Sequence, residues 1–222
     1  RNYDANFGGP GSSGNTSSDI YRGTAAFSEP ETRALRDYIT QRPEISAHID
    51  VHCYSQLMLY PYGYQEAIPA GSEGILHAEL AIDLVQAIES YEGKIYIPEP
   101  AHSLYVASGA SDDWSFEAAN TISYTPELRD TGQFGFILPA NQIVPTGMEM
   151  LRAFKVLGEA IRERVFVSIP SGWPASVEPD EQTSITLDIA PTWNRNESIT
   201  GVSVISAGNS PVPLTPFVDG RW

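Results

Sequence analysis

The sequence predicts an α/β fold: a mixed, mainly parallel sheet covered by helices, followed by a short all-β extension at the C-terminal end. Three observations predict it. Through residue 168, short runs rich in Ile, Val and other strand formers alternate with longer segments of helical periodicity, the order expected of a sheet with helices packed on it. Two of the helical segments, near 72–91 and 142–165, are long and carry apolar residues at helical spacing. After Ser168 the composition shifts to Pro and Gly and then to a helix-poor stretch of alternating apolar and polar residues. Two domains are therefore expected, residues 1–168 and 169–222.

Taken in order, Gly8 to Ser18 is rich in Gly, Ser, Asn and Pro and reads as a loop. Ser28-Glu-Pro-Glu31 has the spacing of a capping box, with Ser28 as cap, and opens a helix to about Gln41. Ile45 to Val51 reads as a strand that delivers His52 at its C-terminal end, and Met58 to Tyr60 as a further short strand. In Ser72 to Tyr91 the apolar residues Ile75, Leu76, Leu80, Ile82, Leu84, Val85 and Ile88 suit a helix ended by Gly93. Lys94 to Ile97 follows as a strand, Asp112 to Ala119 as a helix capped by Ser111, Thr121 to Glu127 as a strand, and Gln142 to Val165 as a long helix. Pro170, Gly172, Pro174 and Pro179 form a linker, and Thr183 to Ala190 and Ile199 to Ser206 read as strands of a small accessory module. That module is short for an independent sandwich.

The balance of 28 acidic against 13 basic residues argues against a nucleic-acid partner, which needs a basic footprint. It favours solubility and could attract cationic substrates, with scattered solvated faces as the alternative for most of these acids. No apolar run is long enough to span a membrane. The one cysteine, Cys53, leaves no internal disulfide to form and reads as a small buried residue.

Two segments carry the chemistry. Ile49-Asp-Val-His52-Cys-Tyr54-Ser and Tyr124-Thr-Pro-Glu127-Leu-Arg-Asp-Thr-Gly132 place an imidazole and a carboxylate at the ends of two strand-like runs. A zinc hydrolase needs a metal ligand and a base there. His48 lies on the same strand but about 13 Å from His52 by strand rise, too far to share an ion.

Both segments resemble the metal-ligand and base segments of the zinc carboxypeptidases of the pancreatic A/B type, in a bacterial-type relative. The resemblance continues through Ser55-Gln-Leu-Met-Leu-Tyr-Pro-Tyr-Gly63, from Leu104-Tyr105 to Asp113-Trp114, and through Gly135-Phe136-Ile-Leu-Pro-Ala-Asn-Gln-Ile143, and it covers about Arg1 to Arg164. It implies one zinc ion, with His52 as a ligand and Glu127 as the general base. It implies Arg1 as the clamp on a substrate's terminal carboxylate, with Asn2 beside it. Tyr105 would be the tyrosine that closes over the bound chain end, and Tyr54 and Phe136 would line outer subsites, with a core role as the alternative for both. Asp112 falls at the pocket floor, where an Asp selects Lys or Arg, with a helix cap as the alternative. For Glu127 the alternative is an ion pair with Arg129.

Pro126, beside the base, departs from the family pattern. None of the four histidines is followed three residues later by Glu, so the family's His-x-x-Glu ligand pair is expected upstream of Arg1. The chain is accordingly expected to be the C-terminal part of a secreted exopeptidase acting on peptide or protein C-termini, with the N-terminal part of the same enzyme as a partner. A non-catalytic peptide-binding module and an inactive structural fragment are the competing expectations.

Overall fold

The computed structural model describes residues 1–163, 165–168, 188–191, 203–204 and 212–213. The chain divides into two compact units, Arg1–Ile161 and Arg162–Trp222. The first unit is built on a sheet whose strands are β1 (Ala47–Ile49), β2 (His52–Cys53), β3 (Leu57–Tyr60), β4 (Ile97–Pro100) and β5 (Ile122–Leu128). Strand order is β1-β5-β3-β4, with β2 also on β5; β5 runs parallel to β1 and β2 and antiparallel to β3, and β3 runs parallel to β4. The expected mixed, mainly parallel sheet is present.

β1 and β2 lie along one side of β5 in a single register, Ala47 opposite Ile122 and His52 opposite Glu127. That register sets Val51 opposite Pro126, which has no N–H for the ladder. The pairing is interrupted there, leaving Asp50 and Val51 between the two short strands. The unusual Pro126 thus marks where the strand breaks ahead of His52.

The expected strand at Lys94 to Ile97 lies three residues later, at Ile97–Pro100. It contains Pro98 and Pro100, which an edge strand tolerates because half of its N–H groups face no partner. β4 is such an edge.

Helix α1 is Pro30–Thr40, but Ser28 does not cap it. The Ser28 hydroxyl accepts from Asn2 Nδ2 and donates to Glu29, so it is unavailable to the helix. Asn2 Oδ1 instead accepts from the Glu29 N–H and from Thr32 Oγ1. A cap is supplied from far upstream in sequence. Ile39 of this helix packs with Ala5 and Trp114, and Tyr3 and Phe27 stack on Trp114 at ring distances of 5.5 Å.

Helix α2, Ser72–Glu92, ends at Gly93 in the left-handed conformation, as its sequence predicts. Leu76, Leu80, Leu84 and Ile88 recur at the spacing of one helix face and are fully buried, whereas Ile75 and Ile82 face solvent. Helix α3, Ser111–Ala119, begins one residue earlier than expected, and Ser111 is its first residue rather than its cap. Helix α4, Ile143–Glu163, buries Thr146, Glu149, Met150, Ala153, Leu157 and Ala160. It ends before Val165, because the β-branched run Val165-Phe-Val enters strand β6, Val165–Ser168.

Within the second unit β6 pairs antiparallel with β7 (Asp188–Pro191), and β8 (Ser203–Val204) pairs antiparallel with β9 (Val212–Pro213). The expected linker and most of the runs Thr183 to Ala190 and Ile199 to Ser206 lie outside the described residues.

The chain just past β5 is held by Arg129, which is almost fully buried. Its Nε donates to Glu149 Oε1 and Oε2 at 3.0 and 2.9 Å, and its terminal nitrogens donate to Gln142 and Glu92. Tyr96 donates to Glu149 as well. This network ties the end of β5 to the C-terminus of α2 and to α4. It also removes the Arg129–Glu127 pairing considered from sequence: β5 ends at Leu128, so strand alternation no longer governs where Arg129 points.

Candidate active site

One cavity opens at the C-terminal end of β5 and is lined by Arg1, Asp50, His52, Tyr105, Asp112 and Glu127, among others. The cross-strand register brings His52 and Glu127 together: His52 Nδ1 lies 3.8 Å from Glu127 Oε1. Glu127 is buried, and its Oε2 has no hydrogen-bond partner among the described residues. Burial pushes its carboxyl above the ordinary range, against the pull of His52. A buried carboxylate with one oxygen unengaged and its neighbour facing an imidazole is ready to take up a proton.

The other nitrogen of His52, Nε2, lies 3.3 Å from Asp50 Oδ1, and Ser111 donates its hydroxyl to Asp50 Oδ2. The hydrogen bond from His52, followed by that from Ser111, holds the Asp50 carboxyl down at about 2 against the desolvation that would raise it. That same bond raises His52. Asp50 was not singled out from sequence. The signal was available, since residues i and i+2 of a strand share a face.

Asp112 lies in the cavity wall and is buried; Thr125 Oγ1 donates to its Oδ2 at 3.1 Å. Its side chain makes no cap on α3, whose cap position is Ala110. Burial pushes the Asp112 carboxyl up. Its neighbour Asp113, whose oxygens both accept from the Gly63 N–H at 3.0 Å, is pushed up to about 8 by burial and then by the charge of Asp112.

Also lining the cavity, the Arg1 guanidinium lies 5.4 Å from the centroid of the half-exposed Tyr105 ring, and Arg1 Nε donates to the Gly11 carbonyl at 2.7 Å. Asn2 is not in the cavity wall. Its amide is engaged with Arg22, Ala25, Ser28, Glu29 and Thr32, so it supports the loop behind Arg1. Tyr54 and Phe136 also lie outside the cavity. They stack edge to face at 5.0 Å, and Phe136 is 78% exposed, so a core role is excluded for Phe136. Cys53, expected to be buried, is exposed: it neighbours His52 on β2, so its side chain points to the opposite face from the cavity-lining imidazole.

His52 and the unengaged oxygen of Glu127 suit a metal ligand beside a base. No set of three His, Cys, Asp or Glu side chains among the described residues is placed to hold a metal ion. No helix among those residues is long and apolar enough to cross a membrane.

His52 on β2 and Glu127 near the end of β5 stand at the C-terminal side of the sheet, where ligand sites of open α/β sheets lie. The chain belongs to the zinc carboxypeptidase family, whose sequence model matches residues 1–153, and that family of hydrolases uses one zinc ion. It is 41% identical over 167 residues to mouse carboxypeptidase A2, covering 75% of this chain and 40% of the relative. Bovine carboxypeptidase B is 39% identical over 168 residues, again covering 75% and 40%. Among solved structures, bovine thrombin-activatable fibrinolysis inhibitor in complex with tick carboxypeptidase inhibitor is similar, with a TM-score of 0.68 and 34% identity over 72% of this chain and 55% of that one. Carboxypeptidase A from Helicoverpa armigera gives 0.66 and 32% over 72% and 40%. This chain spans about 40% of the length of the curated relatives it matches.

Proposed function

We propose that the protein removes C-terminal residues from peptides, with a preference for Lys and Arg, and that His52 is one of its zinc ligands and Glu127 its general base. The observation that carries this is convergence: the side chains assigned to metal, base, terminal clamp and pocket floor line one cavity, although they come from chain positions as distant as Arg1 and Glu127. Among the described residues no other His, Cys, Asp or Glu completes a metal-binding set with His52. Secretion and action on peptide or protein C-termini belong to the same proposal, as does pairing with the N-terminal part of the same enzyme.

Bound zinc supplies Lewis acidity to the scissile carbonyl and acidity to the hydrolytic water. The chain's own residues do the rest. Arg1 meets the terminal carboxylate through a planar guanidinium that accommodates two parallel hydrogen bonds, which restricts the site to chain ends. Tyr105, stacked near that guanidinium, covers the bound end. Glu127 accepts a proton from the hydrolytic water and returns it to the leaving amine. Asp112 offers a buried negative charge to the side chain of the departing residue. A Lys or Arg side chain neutralises it, whereas an apolar side chain leaves a carboxylate desolvated and unpaired.

The test is a pair of peptides that differ only in a C-terminal Arg or Phe, given to the full-length protein loaded with zinc. Faster release of Arg supports the proposal; equal rates, or cleavage only at internal bonds, contradict it.

A further inference from the structure

Asp50 has no part in the chemistry assigned above, yet it lies in the cavity wall with both oxygens engaged. It occupies the break between β1 and β2, where its own N–H still donates to the Tyr124 carbonyl at 3.0 Å. One carboxylate oxygen faces His52 Nε2 at 3.3 Å, and the other accepts from the buried Ser111 hydroxyl at the first position of α3. His52 turns its remaining nitrogen, Nδ1, toward Glu127 Oε1. The other histidine on this stretch does not compete for the carboxylate with the nitrogen it has engaged: His48 Nδ1 is paired with Ser115 Oγ at 2.8 Å.

We propose that Asp50 is a positioning residue for His52: its carboxylate fixes the ring hydrogen on Nε2 and leaves the Nδ1 lone pair directed into the cavity beside Glu127. This rests on His52 being a metal ligand. An ionised carboxylate only accepts hydrogen bonds, so the nitrogen facing it carries the hydrogen and the opposite nitrogen of a neutral ring does not. A metal requires that unprotonated nitrogen. The His52 side chain is 47% exposed and stands on a strand of two residues, so packing alone does not hold its ring. The Asp50 carboxylate, 3.3 Å from Nε2, does, and Ser111 holds Asp50. Because Ser111 adjoins Asp112, the same short chain of contacts links the orientation of the ligand to the wall that carries the pocket charge.

The experiment uses the full-length protein with 15N-labelled histidine, freed of metal and held at a pH where His52 is neutral. The imidazole nitrogen shifts are expected to show the Nε2–H tautomer at His52. Asp50→Ala should give a mixture of tautomers. Asp50→Asn should restore the wild-type tautomer, because its carbonyl still accepts from Nε2 while its amide nitrogen donates to Ser111. In parallel, zinc alone is titrated against a competing chelator. Asp50→Ala is expected to weaken binding about 10- to 100-fold, the usual effect of removing the partner behind a ligand histidine, and Asp50→Asn by less. An Nδ1–H tautomer in the wild type overturns the inference, as does an Asp50→Ala variant with unchanged tautomer and zinc affinity. If Asp50→Ala does not fold, Ser111→Ala replaces it, with a smaller shift in the same two readouts, and no shift in either is again contrary. His52→Ala separates the two layers: unchanged zinc binding there removes His52 as a ligand, whereas lost binding with no Asp50 effect removes only the positioning role.

Discussion

His52 and Glu127 are direct partners in the parallel pairing of β2 with β5, and their facing atoms, Nδ1 and Oε1, are 3.8 Å apart. The proposed ligand and base are thus placed by backbone hydrogen bonding rather than by flexible loops. Whatever fixes the end of β5 also fixes the base.

Arg129 does that fixing. Arg129→Met removes the cation from Glu149, which is fully buried, and leaves an uncompensated charge. A loss of about 3–5 kcal/mol is expected, measured as a fall in the urea midpoint. Replacing Arg129 and Glu149 together by apolar residues of similar volume should recover much of it.

Asp113 gives the fold a pH dependence. Its carboxyl stands at about 8 in the fold against 3.8 as the ordinary value, so between those values the unfolded chain has released a proton that the folded chain keeps. Stability from this group is therefore full at low pH and falls as pH rises toward 8, by up to about 1.4 kcal/mol per pH unit. Urea unfolding of the wild type and of Asp113→Asn at pH 5 and pH 8 should show the variant losing less stability between the two.

Asn2 is expected to matter for structure before chemistry. Asn2→Ala strips partners from the Arg22 and Ala25 carbonyls and from the Glu29 N–H and Thr32 hydroxyl. A loss of about 1–3 kcal/mol, the cost of leaving such a buried group unsatisfied, is expected in thermal or urea unfolding.

Asp112→Ile tests the pocket charge. The preference for C-terminal Arg over Phe, as a ratio of kcat/KM, should fall by an amount equivalent to about 2–5 kcal/mol. An unchanged ratio would assign the pocket's selectivity to other residues.

Much of this was legible in the sequence where local chemistry decides structure. The 72–91 periodicity and Gly93 marked α2 because an apolar stripe and a left-handed stop act within a few residues. His52 and Glu127 stood out because they end strand-like runs within longer family segments. What local pattern missed was settled by residues far apart in sequence. Ser28 has the spacing of a cap, but Asn2 occupies its hydroxyl and serves the helix instead. Arg129 was read by strand alternation, yet the strand stops one residue earlier and its partners come from α2 and α4. Cys53 resembled a buried small residue, but in the fold its side chain is exposed. Asp50 was readable as the same-face neighbour of His52, but only the fold shows that it reaches Nε2 and that Ser111 reaches it.

The most direct measurement is turnover and zinc content of the full-length protein carrying Glu127→Gln, assayed on a peptide ending in Arg. Gln keeps the shape of the side chain and cannot take up the proton, so zinc should stay at the wild-type level while kcat falls by at least about 10²-fold, the usual contribution of a general base. Near-normal turnover with zinc retained would contradict the role assigned to Glu127, and with it the reading of this cavity as a carboxypeptidase site.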